Sequence, residues 1–156
     1  MLTVTIFALL TTPAFAGGTG GRYENHPLHA TQLTRGQAIA RLAKKYLGTP
    51  YVWAGSTPSG FDCSGFVMYL YARLGISVPH SSYAQWELGR HVARNDMRPG
   101  DIVFFGTGHV GIWLGDGRFI HSPHTGDVVS IDSIRSGWYA ETFSGAVRLP
   151  GLERYL

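Results

Sequence analysis

The change of texture at Gly100 constrains the fold more than any other feature of the sequence. Before it, apolar residues recur at helical spacing. After it come five short runs rich in β-branched and aromatic residues: DIVFF (101–105), HVGIWL (109–114), RFIHS (118–122), VVSI (128–131) and GAVRL (145–149). Runs of that length and composition are strands. Helices first and a strand meander second predict an α+β domain, with helices packed on an antiparallel sheet.

The helical half carries its own punctuation. Thr34-Arg35-Gly36-Gln37 has the form of a capping box. Ala38, Ile39, Leu42, Ala43 and Tyr46 follow on one face, and Gly48 and Pro50 stop that helix. Residues 49–62 read as a loop by their Gly, Pro and Ser content. A second helix should start near Cys63, capped by Asp62. Phe66, Val67, Leu70, Tyr71 and Leu74 share its apolar face, and Gly75 ends it. A third is expected over 82–88.

The first sixteen residues, MLTVTIFALLTTPAFA, resemble a secretory leader ending in a small-x-small site at Ala14-Phe15-Ala16. No Lys or Arg precedes the apolar run, which is too short to span a bilayer. The expected organisation is a leader over 1–16, a linker or tail over 17–33, one domain over 34–150 and a short tail over 151–156. Export would put the mature chain outside the cytoplasm, in the periplasm or at the cell wall. The formal net charge of +3 suits an anionic envelope. Lys and Arg are scattered, which speaks against nucleic acid as a partner. No integral membrane segment is expected in the mature chain, and a monomer is expected.

An exported chain with one cysteine cannot make an internal disulfide, so Cys63 in GFDCSGF (60–66) is reactive, cross-linking or simply buried. At a helix start, unsatisfied N–H groups favour thiolate and can hold an oxyanion. Cysteine is equally at home as a small core residue, and the local sequence alone favours packing. A nucleophile needs a base. Seven histidines are present: His26, His29, His80, His91, His109, His121 and His124. His109 and His121 fall on adjacent predicted strands.

Hairpin register decides whether those two meet. With Gly115-Asp116-Gly117 as a three-residue loop, Leu114 pairs with Arg118. His109 and His121 then share a face, one diagonal step apart, roughly 7 Å between backbones. With Asp116-Gly117 as a two-residue turn, they face opposite ways. The alternation of Val110, Ile112 and Leu114 against His109, Gly111 and Trp113 favours the first. A zinc site at His109, His121 and His124 is the competing use of these side chains, but no acidic or Cys partner sits at ligand spacing.

Three motifs in order resemble the NlpC family of bacterial cell-wall cysteine peptidases: GTPYVWAGSTPSGFDCSGFV (48–67), RPGDIVFF (98–105) and GHVGIWLGDGRFIHSP (108–123). The resemblance spans about 34–149. It implies a compact papain-like fold with the nucleophile at a helix N-terminus. It further implies Cys63 as nucleophile, His109 as base and His121 as the group that orients it. Tyr51 would help form the oxyanion site. Asp62 and Ser64 would recognise the free amino end of a stem peptide, and His80 would occupy a cleft position often held by arginine. The implied substrate is a peptidoglycan stem peptide, cut between D-glutamate, through its side-chain carboxyl, and meso-diaminopimelate. No metal or cofactor is implied. Amidase or acyltransferase action on another envelope substrate, delivery into competitor cells as a lytic effector, and a silent wall-binding module are the alternatives. By themselves Tyr51, Trp53, Trp113, Trp138 and Tyr139 would read as packing aromatics.

Overall fold

The computed structural model describes residues 32–156. The leader and almost all of the 17–33 tail lie outside the described residues. Among those described, no helix is long and apolar enough to cross a membrane.

The α+β expectation holds. Among the described residues, four α-helices, α1 (Arg35–Ala43), α2 (Cys63–Ala72), α3 (Ser82–Trp86) and α4 (Trp138–Glu141), accompany eight strands. Strands β1 (Ser56–Thr57) and β2 (Gly60–Phe61) pair with each other. The others are β3 (Arg90–Val92), β4 (Ile102–Phe105), β5 (His109–Gly115), β6 (Arg118–His121), β7 (Ser130–Ser133) and β8 (Phe143–Arg148). These six form one antiparallel sheet in the order β3-β8-β4-β5-β6-β7. The run β4 to β7 is the expected meander, and β8 returns to the far side of β4.

Local chemistry explains the helix starts. Thr34 and Gln37 form the capping box of α1, at 3.2 Å and 2.9 Å. Asp62 caps α2 through a 2.6 Å bond from the Gly65 N–H. Ser81 caps α3, which is shorter than expected and ends at Trp86.

The sheet is buried on both faces. One face packs Ile102, Phe104, Val110, Ile112, Ile120 and Val147 against α1 and α2. The other packs Val103, Phe105, Trp113, Phe119 and Ala146 beneath Tyr139 and Phe143. Burial of both faces is why the strands read as near-continuous apolar runs.

Several details differ from expectation. The loop at 49–62 contains the small β1–β2 hairpin. Strand β7 begins two residues late, because Val128 is held outside the sheet in a bridge to Pro50. The short tail over 151–156 packs back on the domain. Leu152 is buried in the core, and its carbonyl accepts from the Gly36 N–H at 3.0 Å.

The β5–β6 connection combines the two alternatives posed above. Asp116 and Gly117 form a two-residue turn, both at positive φ (53° and 74°). Gly115, not Leu114, pairs with Arg118. A bulge at Leu114 absorbs the extra residue, so Trp113 still pairs with Phe119 and Ile112 with Ile120. The strand bodies therefore keep the register of the three-residue loop, and His109 and His121 share a face.

Candidate active site

Cys63 is the first residue of α2. The backbone N–H groups of Val110, the residue after His109, and of Ser64 and Cys63 itself favour the thiolate electrostatically. The loop before Cys63 is further tied to the histidine strands. Ser122, next to His121, donates its hydroxyl to the Phe61 carbonyl at 2.7 Å. Helix α2 packs on the Val110 face of the sheet, so its first turn meets the beginning of β5 around the strand end.

The helix start does not make the resting thiol acidic, contrary to expectation. Burial pushes the Cys63 thiol up and the nearby Asp62 charge adds to this, outweighing the three N–H groups that favour thiolate. Burial likewise pushes His109 down to about 3, helped by repulsion from His121 and His124. In the free protein both groups are neutral at pH 7.

Two polar side chains stand in a row behind His109. Its Nε2 lies 2.6 Å from Nδ1 of His121, and Nε2 of His121 lies 2.8 Å from Oδ2 of Asp132. His121 is fully buried. Its burial lowers it, although the hydrogen bond and charge of Asp132 raise it. Asp132 pairs across β6–β7 with Phe119, which places it diagonally from His121 on the same face.

A cavity of about 420 Å³ opens over the thiol, bordered by Tyr51, Trp53, Asp62, His80 and Tyr83. Trp53, expected to pack, is 82% exposed on its rim. The Tyr51 hydroxyl is raised by burial and then by the Cys63 and Asp62 charges, so it remains a protonated donor close to the sulfur. Asp62 is almost saturated. His80 Nε2 sits 2.8 and 2.9 Å from its two oxygens, and the Ser64 hydroxyl donates to Oδ1 at 3.1 Å. A second cavity, of about 400 Å³, lies on the other side of His109, against Pro123, His124, Trp138 and Tyr139.

The structure thus gathers Tyr51, Asp62, Cys63, Ser64 and His80 around one cleft and joins His109 to His121 beside it. Sequence reasoning missed Asp132 and Gln85. Gln85 is buried and donates from Nε2 to the carbonyls of Ser64 (2.9 Å) and Pro79 (2.8 Å), fastening α3 to the first turn of α2. A period-two reading of residues 130–132 puts Asp132 on one face with Ser130, and that alternation was the available signal.

A profile of the NlpC/P60 family matches residues 48–148. The chain belongs to the NlpC/P60 family. It is 39% identical over 131 residues, 79% of its length, to gamma-DL-glutamyl hydrolase of Bacillus subtilis (strain 168). Among solved structures, it resembles an NlpC/P60 family protein from Bacillus cereus ATCC 10987. There the TM-score is 0.70 and the identity 36%, over 72% of this chain and 39% of that one. It also resembles the NlpC/p60 domain of the peptidoglycan hydrolase SagA. That match has a TM-score of 0.67 and 39% identity, over 73% of this chain and 98% of that one. The chain spans only 32%, 22% and 26% of three curated relatives. The likeness is therefore to their NlpC/P60 domain.

Proposed function

We propose that this protein is an exported cysteine endopeptidase that cuts peptidoglycan stem peptides after D-glutamate, at the γ-linked bond to a diamino acid. The carrying observation is the Cys63 thiol at the first position of α2, within the influence of the Val110 N–H at the start of β5, together with the hydrogen-bonded His109–His121 pair on that strand and its neighbour. The name of the Bacillus subtilis relative, a gamma-DL-glutamyl hydrolase, supports a γ-glutamyl bond. SagA, a peptidoglycan hydrolase, supports the wall as target. The leader-like residues 1–16 support export.

The chemistry follows from two neutral partners. As sulfur attacks the carbonyl carbon, the S–H proton passes to His109, and a tetrahedral oxyanion forms. The thiolate and imidazolium arise together, so each stabilises the other where neither would survive alone. Tyr51 and the first N–H groups of α2 are the donors suited to the oxyanion. Collapse breaks the C–N bond, and the amine leaves with the proton from His109. Water, deprotonated by His109, then hydrolyses the thioester.

Incubation with a defined free stem tripeptide, L-alanyl-γ-D-glutamyl-diaminopimelate, read by mass spectrometry, tests this. The expected result is a new free amine on the diamino acid, with rate lost at least a thousandfold, roughly, in Cys63→Ala. Cleavage that survives in Cys63→Ala, or an intact substrate with the wild-type chain, would overturn it.

A further inference from the structure

Asp132 takes no part in the reaction just described, yet it ends a continuous row of polar atoms that begins at the proposed base. We infer that Asp132 is a positioning residue, setting through His121 which ring nitrogen of His109 is free to take the thiol proton. The inference rests on the reading of Cys63 and His109 as the reacting pair.

The argument is a proton count. A carboxylate only accepts hydrogen bonds. At 2.8 Å from Asp132 Oδ2, Nε2 of His121 must therefore carry the hydrogen. His121 is buried and lowered, hence neutral at pH 7, so its Nδ1 holds a lone pair. The 2.6 Å approach of His109 Nε2 then requires the hydrogen on that nitrogen. Neutral His109 is left with one basic atom, Nδ1. Two imidazoles alone satisfy the same contact in either direction, because each can donate or accept. Only an acceptor fixed at the end of the row selects one direction.

Asp132 also answers the charge that catalysis creates. When Nδ1 of His109 gains a proton, the ring becomes an imidazolium in a buried place. The carboxylate, one ring further on, keeps its charge and stabilises that cation through His121. Ser130 lies opposite His121 in the pairing, and its hydroxyl is 3.4 Å from both His121 Nε2 and Asp132 Oδ2. The other groups facing the row are His124 and Asp127, which act on His121 by charge, and the Tyr139 ring, 5.1 Å from His121. Neither His124 nor Asp127 hydrogen-bonds His109 or His121, which leaves Asp132 as the charged acceptor.

The test uses the full chain with ¹⁵N-histidine and long-range ¹H–¹⁵N correlation, in a Cys63→Ala background so that turnover is irrelevant. Both His109 and His121 should show the hydrogen on Nε2. Adding Asp132→Ala should convert them to mixed tautomers. In the active protein, Asp132→Ala should lower kcat about 10–100-fold with KM kept within about twofold, and Asp132→Glu should recover most of the rate. The acid limb of the kcat profile should move in Asp132→Ala, which a merely structural role would not produce at unchanged KM. Asp132 is 45% exposed in its side chain, so its variants are expected to fold. Unchanged tautomers, or an unchanged kcat, would overturn the inference. If Cys63→Ala itself stays active, the functional reading has failed, and the tautomer spectra still decide the role of Asp132.

Discussion

At the scale of single residues, Asp62 shows how one side chain serves opposed ends. It caps α2, holds His80 and orders the Ser64 hydroxyl, but its charge opposes the Cys63 thiolate. Because burial and this charge raise the thiol, iodoacetamide alkylation of the free protein should still be accelerating above pH 9, the ordinary thiol value. Asp62→Asn keeps a cap-competent side chain while removing the charge. It should shift the alkylation profile toward lower pH, and a shift toward higher pH would contradict this account. The same residue shows the reach of sequence reading. Asp62 as a helix cap was legible from position alone. Its bidentate contact with His80, eighteen residues on, was not, because nothing local records which loop folds over the helix start.

At the scale of elements, the β5–β6 hairpin makes the site. Its bulge at Leu114 and its Asp116-Gly117 turn together set the face on which His109 and His121 lie. Gly111 sits on that face between His109 and Trp113. A methyl group there would meet the Ile120 carbonyl and Phe119 ring at 2.8 Å and the His121 Cβ at 3.1 Å. Gly111→Ala should therefore push His121 off line. We expect a loss of about 1–3 kcal/mol in stability and a larger fractional loss in kcat, measured by thermal unfolding and peptide cleavage on the same preparation. Full activity would show that the pair tolerates displacement. Alternation along HVGIWL made the face visible in the sequence. The bulge was not visible, since a two-residue turn and a three-residue loop both fit GDG.

At the scale of the whole molecule, a buried ion pair ties the end of β8, the chain's last strand, to the entry of its neighbour β4. Arg148, at the end of β8, donates from Nε and Nη2 to both Asp101 oxygens, at 2.7 and 2.6 Å, with the side chains 5% and 1% exposed. Its Nη2 also reaches the Asp96 carbonyl at 2.8 Å. Arg148→Ala leaves the buried Asp101 carboxylate without its counter-ion, with the Arg98 N–H bond at 2.7 Å still in place, so denaturant unfolding should show a loss of about 3–5 kcal/mol. A loss under about 1 kcal/mol would mean that water repairs the gap.

Sequence by itself determined α1 to α3 and the strands from β4 onward, the caps at Thr34 and Asp62, the α+β class and the candidates Cys63, His109 and His121. Those features depend on periodicity, turn chemistry and residue type, all of which act over a few positions. Only the tertiary structure decided that Asp132 ends the histidine row, that Gln85 fastens α3 to α2, and that the resting thiol and imidazole are neutral. Hydrogen-bond partners across strands depend on register, and the charge of a side chain depends on how much water the rest of the fold removes. Neither quantity exists until the chain has closed around the site.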